Sequence, residues 1–226
     1  MSEPALKAEL MRSLSRLVRG LSALFWGLPI TLLVCVKTAT SEWLKPLGIF
    51  PPILATALLA YGLWQLGCFQ KQERIWHHAL DRAKLLSVVN IGLSPFVFWW
   101  NQIPHVPLFT LAVGILMLSS LLFLFNLNRV LQRLTAMLPD ETLRLETQFF
   151  TSLNLYLLLA LILLVTAYLI LQQIDSLPIL VLDVLRALEV VKQWGLIFLI
   201  LLPLAMTMTL IWKIKEVILA SVFGTE

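Results

Sequence analysis

Charged residues are absent from five long stretches of this 226-residue chain. The stretches begin at residues 20, 46, 85, 147 and 193 and are 17, 25, 44, 28 and 20 residues long. A helix needs roughly 20 apolar residues to cross the ~30 Å hydrocarbon core of a bilayer. A composition of 59% hydrophobic and 13% charged residues also excludes an ordinary soluble or disordered chain. The sequence therefore predicts an all-α, polytopic integral membrane protein.

The 44-residue stretch is too long for one span and contains its own break at residues 101–105, which include Pro104. Proline ends helices because it lacks the amide donor and clashes with the preceding turn. Dividing the stretch there predicts six transmembrane helices. Their approximate ranges are 20–39, 47–69, 85–100, 106–125, 150–171 and 194–212. The runs are continuously apolar rather than alternating, which disfavours a closed strand barrel.

The basic residues predict the orientation of these spans, because cytoplasmic loops of membrane proteins are enriched in Lys and Arg. With the N-terminus inside, thirteen of the 17 basic residues are cytoplasmic and four are external. An even number of spans then places both termini in the cytoplasm, and we expect a bacterial inner (plasma) membrane. The net charge of +4 needs no nucleic acid as its counter-charge, since anionic lipid headgroups at the basic loops supply one. The cytoplasmic set is Lys7, Arg12, Arg16, Arg19, Lys71, Arg74, Arg82, Lys84, Arg129, Arg133, Arg144, Lys213 and Lys215.

Residues 1–19 are predicted to form an amphipathic helix at the cytoplasmic interface. Leu6, Leu10, Leu14 and Leu17 make an apolar stripe at helical spacing, and the arginines lie away from it. A soluble helix packed on a partner is the alternative. We interpret the apolar run that follows as a retained span rather than a cleaved signal peptide, because it has no clear cleavage site and precedes five more spans.

The tryptophans agree with the predicted span ends, where the indole ring favours the membrane interface. Two further tryptophans, Trp26 and Trp64, lie deeper and are predicted to be packing residues. Those at the ends are Trp43, Trp99, Trp100 and Trp194 outside, and Trp76 and Trp212 inside.

Three similar segments begin at Ser22, Ser87 and Thr151, at intervals of 65 and 64 residues. They indicate one membrane domain, 1–226, built from three parallel helical hairpins at 20–69, 85–125 and 150–212. Chance similarity between apolar helices is the competing explanation. Within the third hairpin, residues 177–192 carry a charge at every third position from Asp183 onward and are too polar to span. We expect this segment on the outer surface, either as a lid or docking surface or as a tether.

Asn90 and Asn154 are the intramembrane polar residues that stand out, because they occupy the same place in two of the similar segments. Such amides usually hydrogen-bond neighbouring helices, and the alternative is a site for solute. A cytoplasmic cluster of Glu73, His77 and His78 with Asp81 is interpreted as a solvated helix, since no full set of zinc ligands is present. The sequence predicts no catalytic, cofactor-binding or metal-binding residue.

These patterns favour a non-enzymatic multi-pass protein, such as an accessory, assembly or scaffold subunit of a membrane complex or homo-oligomer. The spans lack ionisable residues at mid-depth, which disfavours a proton-driven pump. The alternative function is a small transporter or channel for a neutral or lipidic solute.

Overall fold

The computed structural model describes residues 3–69, 74–103, 105–138, 141–171 and 200–220. This part of the chain is 90% helical and contains no strand, which confirms the all-α prediction. A short 3-10 turn at Lys45–Leu47 precedes the second helix. The α-helices are α1 (Glu3–Thr40), α2 (Phe50–Leu66), α3 (Arg74–Leu93), α4 (Pro95–Gln102), α5 (Pro107–Thr135), α6 (Glu141–Leu171) and α7 (200–220).

Within the described residues, four helical stretches are long and apolar enough to cross a membrane: one each in α1, α5 and α6, and one formed by α3 together with α4. The second predicted span corresponds to α2, an apolar helix of only 17 residues. The sixth, 194–212, is described from residue 200, where α7 continues to residue 220. The predicted outer segment 177–192 lies outside the described residues.

The first helix is longer than the first predicted span. It is continuous from Glu3 through Pro29 to Thr40, so no break separates residues 3–19 from the span that follows. The reason lies in the packing: Leu17 and Leu21 belong to one buried stripe that crosses the predicted boundary. Residues 3–19, predicted as a separate amphipathic helix, are therefore the first part of the same continuous helix as the span.

The predicted break in the 44-residue stretch is present. Helix α4 ends at Gln102 and α5 begins at Pro107, where the missing amide of proline costs nothing in the first turn. A second interruption falls at Ser94, just before Pro95, and separates α3 from α4.

Helices α1 and α2 pack as a close antiparallel pair along small residues. A Cβ built on Gly20 would lie 2.4 Å from a methyl carbon of Leu66 and 2.8 Å from the carbonyl oxygen of Gly62. Further along the same contact, Thr31 Oγ1 donates to the carbonyl oxygen of Ala55 at 2.9 Å. Small side chains let helix backbones approach in a membrane, where packing rather than water exclusion drives association.

The apolar core is concentrated at the end of the bundle that carries most of the basic residues. At the opposite end the buried positions are mainly small or polar, including Thr38, Ala55, Ser94 and Ala112. The largest fully buried side chains all lie toward the end that carries the basic residues: Leu17, Leu21, Leu24, Leu63, Leu66, Trp76, Leu80, Leu127, Leu131, Leu134, Leu210 and Ile211.

Two predictions about tryptophans are wrong. Trp26 and Trp64, predicted to be packing residues, are 63% and 72% exposed. Trp76, predicted at the inner boundary, lies in the first turn of α3 and is completely buried, and its depth in a membrane stays a prediction. Trp26 and Trp64 lie on the outward sides of their helices, where a bilayer accommodates an indole as well as a protein interior does. Trp76 instead lies on the inner stripe of α3 and belongs to the apolar core.

Candidate functional site: a buried amide and hydroxyl cluster

The two amides that the sequence singles out both face the interior of the bundle. Asn90 is 5% exposed and Asn154 is 1% exposed. Each lies on a buried stripe whose residues are three or four positions apart, the spacing that keeps side chains on one side of a helix. The stripes are Trp76, Leu80, Ala83, Ser87 and Asn90 on α3, and Leu143, Thr147, Thr151, Asn154, Leu158 and Leu161 on α6.

Three residues of the α3 stripe, Ala83, Ser87 and Asn90, coincide with buried residues of α6 at the 64-residue interval of the similar segments, whereas Leu80 coincides with the exposed Arg144. The stripe of α1 does not follow its predicted interval. Leu17, Leu21 and Leu24 coincide with Ala83, Ser87 and Asn90 at an interval of 66 rather than 65. The threefold repeat therefore stays a prediction.

Asn154 connects α6 to α7. Its Nδ2 donates to Thr207 Oγ1 at 3.2 Å and to the carbonyl oxygen of Pro203 at 3.4 Å. Pro203 lies in the first turn of the described part of α7, and its carbonyl also accepts from Thr207 Oγ1 at 2.8 Å. The amide of Asn154 is thus held against a single turn of the neighbouring helix.

Asn128 brings a third helix into the same cluster. Its Nδ2 donates to Thr207 Oγ1 at 3.0 Å and to the carbonyl oxygen of Leu124 at 3.0 Å. The Thr207 hydroxyl therefore accepts from two amides, and it lies within donating distance of the carbonyl oxygen of Pro203 at 2.8 Å and of Asn128 Oδ1 at 3.3 Å. Sequence patterns singled out neither Thr207 nor Asn128, which ends the 44-residue uncharged stretch beside Arg129.

The cluster of Asn128, Asn154 and Thr207 can join helices but cannot carry a proton. All three side chains are essentially inaccessible, and none of them titrates in the physiological range. Among the residues whose side chains the structure describes, from residue 11 onward, no Asp, Glu, Lys, Arg or His is buried. The arrangement is that of a polar contact between α5, α6 and α7. One atom is left over: Asn154 Oδ1 has no hydrogen-bond partner.

Asn90 lies apart from this cluster, with no hydrogen bond to it in the part of the chain that the structure describes. Asn90 Oδ1 and Ser119 Oγ are both buried and lack a hydrogen-bond partner. The rings of Phe96 and Phe109 are 6.2 Å apart and fix the register of α4 against α5. Asn90 lies six residues from Phe96 and Ser119 lies ten residues from Phe109, both toward the apolar core. At 1.5 Å per residue, the depths of Asn90 and Ser119 along the bundle differ by about one helical turn.

Two polar contacts hold the end of α1 that is opposite to the apolar core. Asn101 Nδ2 donates to the carbonyl oxygen of Thr38 at 2.9 Å, which ties α4 to α1. In the loop after α1, a hydrogen bond from Lys45 lowers the pKa of Glu42 from its ordinary value, and the Lys45 charge adds to this effect. Both contacts are structural in character.

The histidines of α3 lie in a part of the chain for which the described residues include no group of three or more His, Cys, Asp or Glu side chains that could hold a metal ion. His78 and Asp81 are exposed on α3, and His77 is partly exposed. Asp81 pairs with Lys84 at 3.8 Å instead of with a histidine. Glu73 lies outside the described residues.

Cations paired with aromatic rings surround the end that contains the apolar core. The cation lies 5.7–5.9 Å from the ring centre in each pair. Such pairs are typical of a boundary between an apolar layer and headgroups. The pairs are Lys84 with Trp64, Arg129 with Phe125, and Lys215 with Trp212.

A surface depression of about 480 Å³ lies at the C-terminal end of α1 and the loop after it. Leu33, Lys37 and Trp43 contribute to its lining, whereas Asn90 and Asn154 do not. The buried amides are therefore separate from this depression.

Comparisons of the chain with protein-family models, with curated proteins and with solved structures find no match.

Proposed function

We propose that the chain is a six-span protein of a bacterial inner membrane, with both termini in the cytoplasm. Four helical stretches of suitable length, the apolar α2 and the partly described α7 support this count. The basic residues gather at the end of the bundle where α1 begins and α7 ends. Large apolar side chains cover the outward surfaces of most helices, as hydrocarbon requires.

In that membrane we propose a non-enzymatic role as an accessory, assembly or scaffold subunit. The observation that carries this proposal is that the polar side chains of the cluster form hydrogen bonds between helices. Asn128, Asn154 and Thr207 connect three helices, and they form no charged or titratable centre. Its partners are the bilayer, anionic lipid at the cytoplasmic basic loops, and another membrane subunit or a second copy of the chain.

The test is to isolate the tagged protein under conditions that preserve membrane complexes. We expect chemical crosslinking in intact cells, followed by extraction in a mild non-ionic detergent, to recover a complex larger than one 25.6 kDa chain. Its members would be identified by mass spectrometry, with an unrelated six-span protein of equal abundance as the control. A single chain in every crosslinking condition would refute the subunit role.

The alternative function, a transporter or channel for a neutral or lipidic solute, is favoured by one observation. Asn90 Oδ1, Ser119 Oγ and Asn154 Oδ1 are buried polar atoms that lack hydrogen-bond partners and could contact a permeating molecule. Proteoliposomes distinguish the two functions. Transport predicts swelling in neutral osmolytes or scrambling of labelled lipid, and Asn90→Leu should abolish it. No flux above protein-free vesicles would dismiss the alternative.

A further inference from the structure

Aromatic rings bridge the outer surfaces of α1 and α7. Phe25 contacts Trp26 edge-on at 5.4 Å between ring centres and contacts Trp212 on the other helix at 5.8 Å. Trp26 is 63% exposed and Trp212 is 53% exposed. The three rings therefore form a continuous apolar surface that extends across the two helices and that no described part of the chain covers.

Two cations adjoin this aromatic surface on its basic side. Lys215 Nζ lies 5.7 Å from the centre of the Trp212 ring. Arg19 precedes Trp26 by seven residues, which places it on the same side of α1 and about 10 Å nearer the basic end. Arg19 is exposed and Lys215 is partly exposed. Neither makes an ion pair with any residue that the structure describes.

A surface with rings in the apolar layer and unpaired cations at its edge matches the two parts of an anionic phospholipid. Acyl chains pack against aromatic rings in hydrocarbon, and basic side chains near the membrane surface attract negative headgroups. A zwitterionic lipid has the same chains, but its headgroup also carries a positive charge that opposes binding beside cations. Charge thus favours the anionic class.

We propose that α1 and α7 form a docking site for an anionic phospholipid of the cytoplasmic leaflet. The phosphate lies between Arg19 and Lys215, and an acyl chain lies along Trp26 and Trp212. This inference rests on the proposed membrane orientation and adds a specific lipid site to it. Glu216 directly follows Lys215 on α7, and its negative charge opposes binding.

The test compares lipids with identical acyl chains on the purified full-length protein. Phosphatidylglycerol and phosphatidylcholine are titrated in a non-ionic detergent, and bound lipid is counted by native mass spectrometry. We expect phosphatidylglycerol to bind more tightly to the wild type. Since each basic residue near a headgroup contributes about a fivefold effect, Arg19→Gln with Lys215→Gln should weaken phosphatidylglycerol binding about thirtyfold.

Two further variants test whether the effect is specific to this site. Arg129→Gln with Arg133→Gln removes the same charge from the same end of the bundle, but on α5, and should change binding less than twofold. Glu216→Gln removes the opposing charge and should strengthen phosphatidylglycerol binding. Soluble glycerol phosphate, which lacks acyl chains, should not compete at equal concentration.

Equal affinity for the two lipids, or an equal loss in the α1–α7 and α5 variants, would overturn the lipid site. Competition by glycerol phosphate would show a site for free anions and would also overturn it. If the double variant does not fold, the wild-type lipid comparison and Glu216→Gln decide the question. Carbonate extraction of membranes tests insertion separately, so a protein that stays inserted without lipid preference refutes this inference alone.

Discussion

The hydroxyl of Thr207 should contribute measurably to stability, because it joins three helices. Thr207→Val keeps the shape of the side chain and removes an oxygen that accepts from Asn128 Nδ2 at 3.0 Å and Asn154 Nδ2 at 3.2 Å. Hydrogen bonds between membrane helices contribute about 0.6 kcal/mol on average and up to about 1.7 kcal/mol. Two such bonds predict a loss of about 1–3 kcal/mol in the free energy of unfolding, the lower figure applying if the amides keep their carbonyl partners, Leu124 for Asn128 and Pro203 for Asn154.

The measurement is equilibrium unfolding in mixed micelles of a non-ionic detergent and dodecyl sulfate, followed by circular dichroism. Thr209→Val is the matched control, since Thr209 is exposed and its hydroxyl donates only to Ala205 in its own helix at 2.9 Å. We expect the control to change stability by less than about 0.5 kcal/mol. Thr207→Ser keeps the hydroxyl and should retain most of the stability.

A double-mutant cycle isolates the contact itself. Thr207→Val combined with Asn128→Ala should give a coupling energy of about 0.5–1.5 kcal/mol, because each variant already removes the shared bond. If Thr207→Val is no more destabilising than Thr209→Val, and the cycle gives no coupling, the cluster contributes nothing and the reasoning about α5, α6 and α7 is refuted.

Further predictions concern packing and orientation. Gly20→Ala should destabilise the bundle by about 1–3 kcal/mol, because the new Cβ would lie 2.4 Å from a side-chain carbon of α2. In the same unfolding assay Gly114→Ala, with nothing within 4 Å of its Cβ, should be neutral or stabilising by up to about 1 kcal/mol. Equal effects would contradict the close α1–α2 contact. Cys68 follows α2 at the end proposed to be cytoplasmic. In a variant with Cys35 replaced by alanine, Cys68 should therefore react with a membrane-impermeant maleimide in inverted membrane vesicles but not in intact cells. The reverse pattern would contradict the proposed orientation.

Charge spacing predicted the helical class, and Pro104 within the 44-residue stretch predicted the break between α4 and α5, because both depend on residues close together in the chain. The inward position of Asn90 and Asn154 also agrees with the sequence. An amide in an apolar helix is costly to expose to lipid, so burial is the expected outcome.

The partners of these residues could not be predicted in the same way. Asn128 and Thr207 are 79 residues apart, and the periodicity of one helix does not identify the helix that faces it. The tryptophan errors have a related cause. In a membrane protein both the inner and the outer sides of a helix are apolar, so hydrophobicity alone did not distinguish the exposed Trp26 from the buried Trp76.

The short helix α2 has a consequence for the surrounding lipid. Its 17 residues extend about 25 Å, which is less than a hydrocarbon layer of about 30 Å, whereas the 29 residues of α5 extend about 43 Å. In the proposed six-span arrangement, lipid beside α2 therefore has to thin or expose part of its chains, whereas lipid beside α5 does not. A molecule of this arrangement would present two hydrophobic thicknesses to its surroundings. Its thin side would favour shorter-chain lipids or another protein with an equally short span.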